Sequence, residues 1–193
     1  MTPKSKDTKN RIINTAYELF RDHGFHNTSI EQITKAAHCS VGTFYHYFNS
    51  KEALLIVWVE NYDAEYKEWF EQINPEMHTL EKLDELNKLV FELIEARGDV
   101  DATALVYAHI MQFRRDFYNI ERDRYYNRLL QNLLREGQNK GEISKEISYI
   151  ELAKMCYAAQ RGVIFEWCLA SGSYSLKEFG VKFMHLVCSN FRA

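Results

Sequence analysis

Apolar residues recur at intervals of three and four along most of the chain, and the runs they form predict helices. Ile12, Ile13, Ala16, Leu19 and Phe20 fall on one face of a helix from about Lys6 to His23. Gly24 supplies a left-handed C-cap, with Phe25 placed to fold back on the last turn. Ser29 with Gln32 three residues on makes a capping box, so a short helix begins there and ends near Ala37. Ser40 N-caps a second short helix, Val41 to Phe48. Asn49 or Ser50 caps a third from about Lys51 to Ile73, striped by Leu55, Trp58, Tyr62, Tyr66, Trp69 and Phe70 and stopped by Asn74-Pro75.

The pattern continues with longer elements. Leu80 to Ala96 repeats Leu80, Leu83, Leu86, Val90, Leu93 and Ile94, and Gly98 closes it. Ala102 to Phe113 is another helix, and a long one runs from Phe117 to Asn139, with Tyr126, Leu129, Leu130, Leu133 and Leu134 inward, until Gly141 breaks it. Tyr149 to Ala170 and Leu176 to Phe191 are the last two. About nine helices and no convincing strand make the fold all-α. The three short, tightly capped N-terminal helices form one domain, residues 1–52, and the long helices suit a bundle over 53–193.

Composition sharpens this picture. Eight Gly and two Pro in 193 residues leave few breakers. Net charge is −3 but unevenly placed: Met1 to Lys51 carries seven Lys/Arg and four Asp/Glu, the remainder 17 and 23. A basic N-terminal part on an acidic body attracts a polyanion to one end. The four cysteines are widely spaced and form no C-x-x-C, which excludes a zinc ribbon and fits a reduced, cytoplasmic compartment. No signal peptide and no run of about 18 apolar residues is present, so no membrane is implicated.

The segment Cys39 to Leu54, CSVGTFYHYFNSKEAL, carries the chemistry. Two short helices joined by a tight turn match a helix-turn-helix, whose second helix enters the major groove of DNA. Gly42 lets backbone approach DNA closely, Thr43 with the capping Ser40 offers hydroxyls to phosphate or base edges, and Val41 can touch a thymine methyl. Tyr45, His46, Lys51 and Thr28 can reach phosphates, which fixes register without reading sequence. Phe44 and Phe48, four apart, face the small core with Ile33 and Ala37.

Thr28 to Leu54 resembles the DNA-binding region of the TetR family of bacterial transcriptional repressors. The family pattern is met by Gly42, Thr43, Phe44, Tyr45, Phe48, Ser50, Lys51, Glu52 and Leu54, and the length, the helix count and Arg135 to Ile143 (REGQNKGEI) agree with it. His38 and Cys39 stand where the family usually has Gly and Val, and Val41 where a polar or basic residue is common. The resemblance implies a homodimer, with the last two helices of each subunit forming a four-helix interface. It also implies a small molecule that enters the body and re-spaces two reading heads, so that half-sites roughly 34–36 Å apart are missed.

The residues support both implications. Leu176, Phe179, Phe183, Met184, Val187 and Phe191 give the final helix an apolar face, and Ala153, Cys156, Ala159, Val163 and Trp167 make its predecessor apolar on more than one side. Candidate ligand contacts are the aromatics Trp58, Tyr62, Tyr66, Trp69, Phe91, Tyr107, Phe113, Phe117, Tyr157 and Trp167. Polar groups on apolar faces add His109, Gln160, Arg161 and Glu166, since a buried polar group must find a partner in protein or ligand. The effector expected is a fairly large, aromatic or amphipathic, hydrophobic molecule.

No nucleophile elbow, zinc-protease motif, phosphate loop or dinucleotide loop is present, and the seven histidines do not cluster at metal spacing. The sequence therefore predicts no enzyme, no cofactor and no metal. It predicts a ligand-responsive repressor that binds a palindromic double-stranded DNA operator as a homodimer. The alternative is a regulator of the same build controlled by a protein partner. Cys39, beside the reading helix, has no flanking Lys or Arg to activate its thiol.

Overall fold

The computed structural model describes the backbone of residues 3–97, 100–112 and 124–193, with the side chains of 3–6, 55, 56, 58–61, 97 and 109 outside the described set. The described residues form nine α-helices: α1 Pro3–His23, α2 Ile30–Ala36, α3 Val41–Tyr47, α4 Glu52–Gln72, α5 Thr79–Arg97, α6 Val100–Gln112, α7 Tyr125–Lys140, α8 Tyr149–Leu169 and α9 Leu176–Ser189. Extended pairing among them is limited to one isolated bridge, Ile143 with Arg192. The chain divides into two compact units, Met1–Asn61 with Arg97–Gln112, and Tyr62–Ala96 with Phe113–Ala193.

In the first unit local chemistry sets the boundaries. Gly24, at φ 80°, ends α1, and its N–H donates to Phe20 O at 2.8 Å. The ring of Phe25 then returns onto Phe20, 4.9 Å between centroids. The capping box of α2 is complete: Ser29 Oγ accepts from Gln32 N at 3.2 Å, and Gln32 Oε1 accepts from Ser29 N at 2.7 Å. Ile12, Ala16, Phe20, Ile33, Ala37, Phe44 and Leu54 are fully buried around α1–α3.

In the second unit α8 packs on α7 and α9. Leu129, Leu130, Leu133 and Leu134 of α7 are buried, as are Ala153, Cys156, Val163 and Trp167 of α8. The Arg135 to Ile143 stretch is a structural joint. Gly141 caps α7 at φ 76°, and Gln138 Nε2 donates to the carbonyls of Ser144 and Ile147 at 2.7 Å each.

Two expectations are corrected. The helix predicted from Phe117 starts at Tyr125, because Arg124 is extended (φ −64°, ψ 147°); 117–123 lie outside the described residues. The apolar surface of α9 is divided between two faces. Leu176, Met184 and Cys188 turn inward with Gly180, while Phe179, Phe183 and Leu186 are exposed.

Candidate functional site

The turn between α2 and α3 is a Schellman motif built on a non-glycine residue. Cys39 N donates to Thr34 O at 2.9 Å and His38 N to Lys35 O at 3.2 Å, which places His38 in the left-handed region at φ 50°. Arg11 Nε ties the turn to α1 by donating to Ala37 O at 2.8 Å. Ser40 then opens α3, its Oγ accepting from Thr43 N at 3.0 Å and lying 2.8 Å from Thr43 Oγ1.

One face of α3 is anchored and the other is bare. Phe44 is fully buried and Phe48 nearly so, with rings 5.5 Å apart. Ser40, Val41, Gly42, Tyr45 and His46 are exposed and Thr43 is half-buried; Tyr45 shows 53% of its surface to solvent. A Cβ built on Gly42 would meet only Ser40 Oγ, at 3.7 Å. The fold itself therefore has no use for glycine at this position, although glycine weakens a helix by up to about 1 kcal/mol relative to Ala.

Two residues expected to reach phosphate are turned inward. Thr28 is buried, and its hydroxyl lies 2.9 Å from Gly24 O and 3.3 Å from Leu19 O, pinning the loop after α1. Lys51 Nζ donates to Phe25 O and Thr28 O at 2.7 Å each and sits 4.1 Å over the Phe25 ring. Burial lowers its pKa below the ordinary lysine value. An ammonium has three donors, so at most one is left for a phosphate, and the chief role of Lys51 here is to clamp the loop. The Cys39 thiol is pushed up by partial burial, against a smaller opposing effect of Arg11.

In the second unit the expected ligand residues Tyr62, Tyr66, Tyr157 and Arg161 come together around Tyr126. Ring centroids of Tyr62 and Tyr66 are 6.5 Å apart, Tyr66 and Tyr126 4.8 Å, Tyr126 and Tyr157 5.8 Å. The Arg161 guanidinium lies 4.2 Å from the Tyr157 ring centre. Burial pushes the Tyr66 and Tyr126 hydroxyls well above the ordinary phenol value, so both stay neutral. Tyr126 Oη donates to Gln160 Oε1 at 2.8 Å, and Gln160 Nε2 donates to Asn87 Oδ1 at 2.6 Å. Asn87 Nδ2 reaches Leu83 O at 2.7 Å. Gln160 is thus a satisfied core amide.

Sequence reasoning missed Asn87 and Asp63. Asn87 falls four residues from both Leu83 and Phe91, on the apolar stripe of α5, and that placement was the available signal. Asp63 accepts from Arg124 Nη2 at 3.1 Å and from the backbone N–H of Tyr125 at 3.1 Å, fixing the start of α7 from α4. Of the remaining expected ligand residues, Phe91 is fully buried and would stand 2.6 Å from a Cβ on Gly180, a packing contact within the core. Tyr107 is half-buried in the first unit. Phe113 and Phe117 lie outside the described residues, as do the side chains of Trp58 and His109. No group of metal-ligating side chains is assembled, and no helix is long and apolar enough to cross a membrane, among the described residues.

On α8, Met155, Ala158, Gly162, Phe165 and Leu169 form an exposed stripe at alternating intervals of three and four. Phe179, Phe183 and Leu186 of α9 are exposed as well, with the Phe179 ring between Tyr174, at 5.2 Å, and Phe183, at 6.2 Å. The spacing on α8 is the seam of helices that pack lengthwise.

Residues 12–57 match the family model described as bacterial regulatory proteins, tetR family. The HTH-type transcriptional regulator UidR of Escherichia coli is 26% identical over 168 residues, covering 85% of this chain and 83% of the relative. The solved structure of the fatty acid degradation regulator FadR from Bacillus halodurans superposes with a TM-score of 0.72 at 26% identity, over 97% of this chain and 95% of that one. FadR from Bacillus subtilis, solved in complex with stearoyl-CoA, gives 0.72 at 23% identity, over 94% and 98%.

Proposed function

The chain belongs to the TetR family of bacterial regulatory proteins, and from that premise we propose that it is a repressor that binds a palindromic operator as a homodimer and is released by a hydrophobic small molecule. Residues 1–52 read DNA, and 53–193 hold the effector and the dimer contact. Such a regulator acts in the cytoplasm, beside the DNA.

The bare face of α3 carries the reading. Gly42 leaves open space where the fold would accept a side chain, and backbone approach to a duplex uses that space. Tyr45 and His46 stand beside it for phosphates, Ser40 and Thr43 for phosphate or base edges, and Val41 for a thymine methyl. The inward hydrogen bonds of Thr28 and Lys51 give them an indirect part, holding the loop before α2.

The homodimer rests on the exposed stripe of α8 and α9. In a four-helix interface Gly162, with nothing within 4 Å of a built Cβ, permits close approach of the partner helix. The effector reading rests on Tyr62, Tyr66, Tyr157 and Arg161, which converge on one cluster. An arginine beside apolar rings suits a molecule with a long apolar part and an anionic or strongly polar end. Long-chain acyl thioesters, the class bound by the Bacillus subtilis relative, head the compounds to try. A ligand acts by preferring the geometry that misses the operator.

The test has three arms. Gly42→Leu should lower affinity for a selected palindrome at least 100-fold at fixed salt, with the dimer intact by sedimentation. Gly162→Leu should shift the chain toward monomer. Acyl thioesters and other amphipathic compounds are screened by thermal shift, and hits assayed for operator release. Unchanged DNA affinity in Gly42→Leu overturns the reading-helix assignment. Release by no compound leaves a regulator governed by a protein partner.

A further inference from the structure

Cys156 of α8 and Cys188 of α9 are free, buried, and 3.9 Å apart at sulfur. They project inward, opposite the exposed apolar stripe. Asn87 Nδ2, which can only donate, lies 4.0 Å from Cys188 Sγ. The hydrogen bond shared with Cys188 is the largest influence keeping the Cys156 thiol protonated. Cys188 sulfur thus has a donor amide on one side and the Cys156 thiol on the other. Cys188 also lines a cleft of about 740 Å³ whose other walls include His78, Asp84, Glu142, His185 and Arg192. His185 Nδ1 and Asp84 Oδ2, 2.8 Å apart, hold one side of that cleft. A polar cleft walled in part by Cys188, with the Cys156 and Cys188 sulfurs in contact, has the parts of a two-thiol reaction site.

We propose that Cys188 and Cys156 are a dithiol that small hydroperoxides oxidise to an internal disulfide. Cys188 sulfur, as thiolate, attacks one peroxide oxygen and the O–O bond breaks; the other oxygen leaves as the alkoxide and takes up the thiol proton as an alcohol. The product is a sulfenic acid at Cys188. Cys156 sulfur then attacks Cys188 sulfur, the S–O bond breaks, and the hydroxide released takes the Cys156 proton as water. Two thiols and one hydroperoxide give one disulfide, one alcohol and one water. The thiols lose two electrons and the peroxide gains them.

Closure has a structural consequence. The sulfurs must move from 3.9 Å to about 2.05 Å, which draws α8 and α9 together and takes Cys188 away from the Asn87 amide. Asn87 also accepts from Gln160, and Gln160 from Tyr126. Oxidation therefore reaches α5 and α7 as well as the two helices that carry the exposed stripe.

The intact protein is treated with a stoichiometric amount of hydrogen peroxide, the remaining thiols are alkylated, and the chain is digested with trypsin without reductant. The expected product joins the peptide Met155–Arg161 to Phe183–Arg192 and lacks two hydrogens. In Cys156→Ser, dimedone should trap a sulfenic acid at Cys188. In Cys188→Ser, Cys156 should remain alkylatable at the same dose. Oxidation of Cys39 or Cys168 while Cys156 and Cys188 stay reduced overturns the proposal. So does cross-linking no faster than global unfolding, timed in parallel by a denaturant pulse, because it means the cleft gives no access.

Discussion

Gly42 and Gly180 both lie inside helices, and their surroundings are opposite. A Cβ on Gly42 would meet one hydroxyl at 3.7 Å; a Cβ on Gly180 would stand 2.6 Å from two carbons of the Phe91 ring. In the body the chain fills its own space, and glycine is dictated by a ring that needs the room. In the head the glycine answers to no contact among the described residues, and the proposed approach of DNA supplies a reason for it. Polar groups divide the same way. Tyr126, Gln160 and Asn87 satisfy one another in the dark, whereas Ser40, Tyr45 and His46 face water. A closed surface and an open one, side by side in one sequence, tell a folding requirement from a binding one.

The largest effect expected on stability is at Gly180. Gly180→Ala overpacks the fully buried Phe91 and should cost about 2 kcal/mol in denaturant unfolding of the whole chain. Gly180→Ala with Phe91→Leu should cost less than the sum of the two single changes, since the smaller side chain yields the space. Gly42→Ala should leave stability unchanged or raise it by up to about 1 kcal/mol. Equal losses at both sites would erase the contrast.

Tyr126→Phe comes next. It removes the donor to Gln160 Oε1 and strands a buried acceptor, for a loss of about 2 kcal/mol. Tyr45→Phe removes an equivalent hydroxyl from an exposed ring and should leave the melting temperature where it was. A measurable loss at Tyr45 would mean that α3 uses its outer face internally.

The same division explains what the sequence disclosed. In the head each boundary is written within a few residues: Gly24 for the end of α1, Ser29 with Gln32 for α2, Ser40 for α3. Periodicity found the long helices too. It misplaced the start of α7, because Asp63, 62 residues before Tyr125, sets it, and no local pattern carries a contact of that span. Thr28 and Lys51 show a related ambiguity. Hydroxyl and ammonium groups suit phosphates and backbone carbonyls equally, and only the fold of the loop after α1 decides between them. The tyrosine cluster was half legible, since helical stripes name the aromatics without saying which of them meet.

Glu142 gives a smaller effect with a pH signature. Its carboxylate accepts from Thr79 N at 2.7 Å and so caps α5 from the loop after α7. Hydrogen bonding from Thr79 holds its pKa below the ordinary carboxylate value, against some desolvation. A lowered carboxylate stabilises the fold above its unfolded pKa of about 4.3 and loses that contribution as pH falls through the folded value. Glu142→Gln should therefore cost about 1 kcal/mol at neutral pH, and the difference from the parent chain should shrink as melting is followed below about pH 4. A difference independent of pH would assign the loss to packing.

The smallest effect sharpens the comparison most, because it separates strain from function inside the head. His38 is exposed and held at φ 50° by the two hydrogen bonds that close the α2–α3 turn. A Cβ in that region costs about 1 kcal/mol or slightly more. Glycine escapes that cost but loses more chain entropy on folding. His38→Gly should therefore stabilise the chain by about 0.5 kcal/mol, read from denaturant midpoints at constant slope. Operator affinity should stay within about twofold, because the turn already has the geometry glycine would adopt. A stabilising change that also weakens DNA binding would make the His38 imidazole a DNA contact, and the bare surface of the head would then extend from α3 into the turn before it.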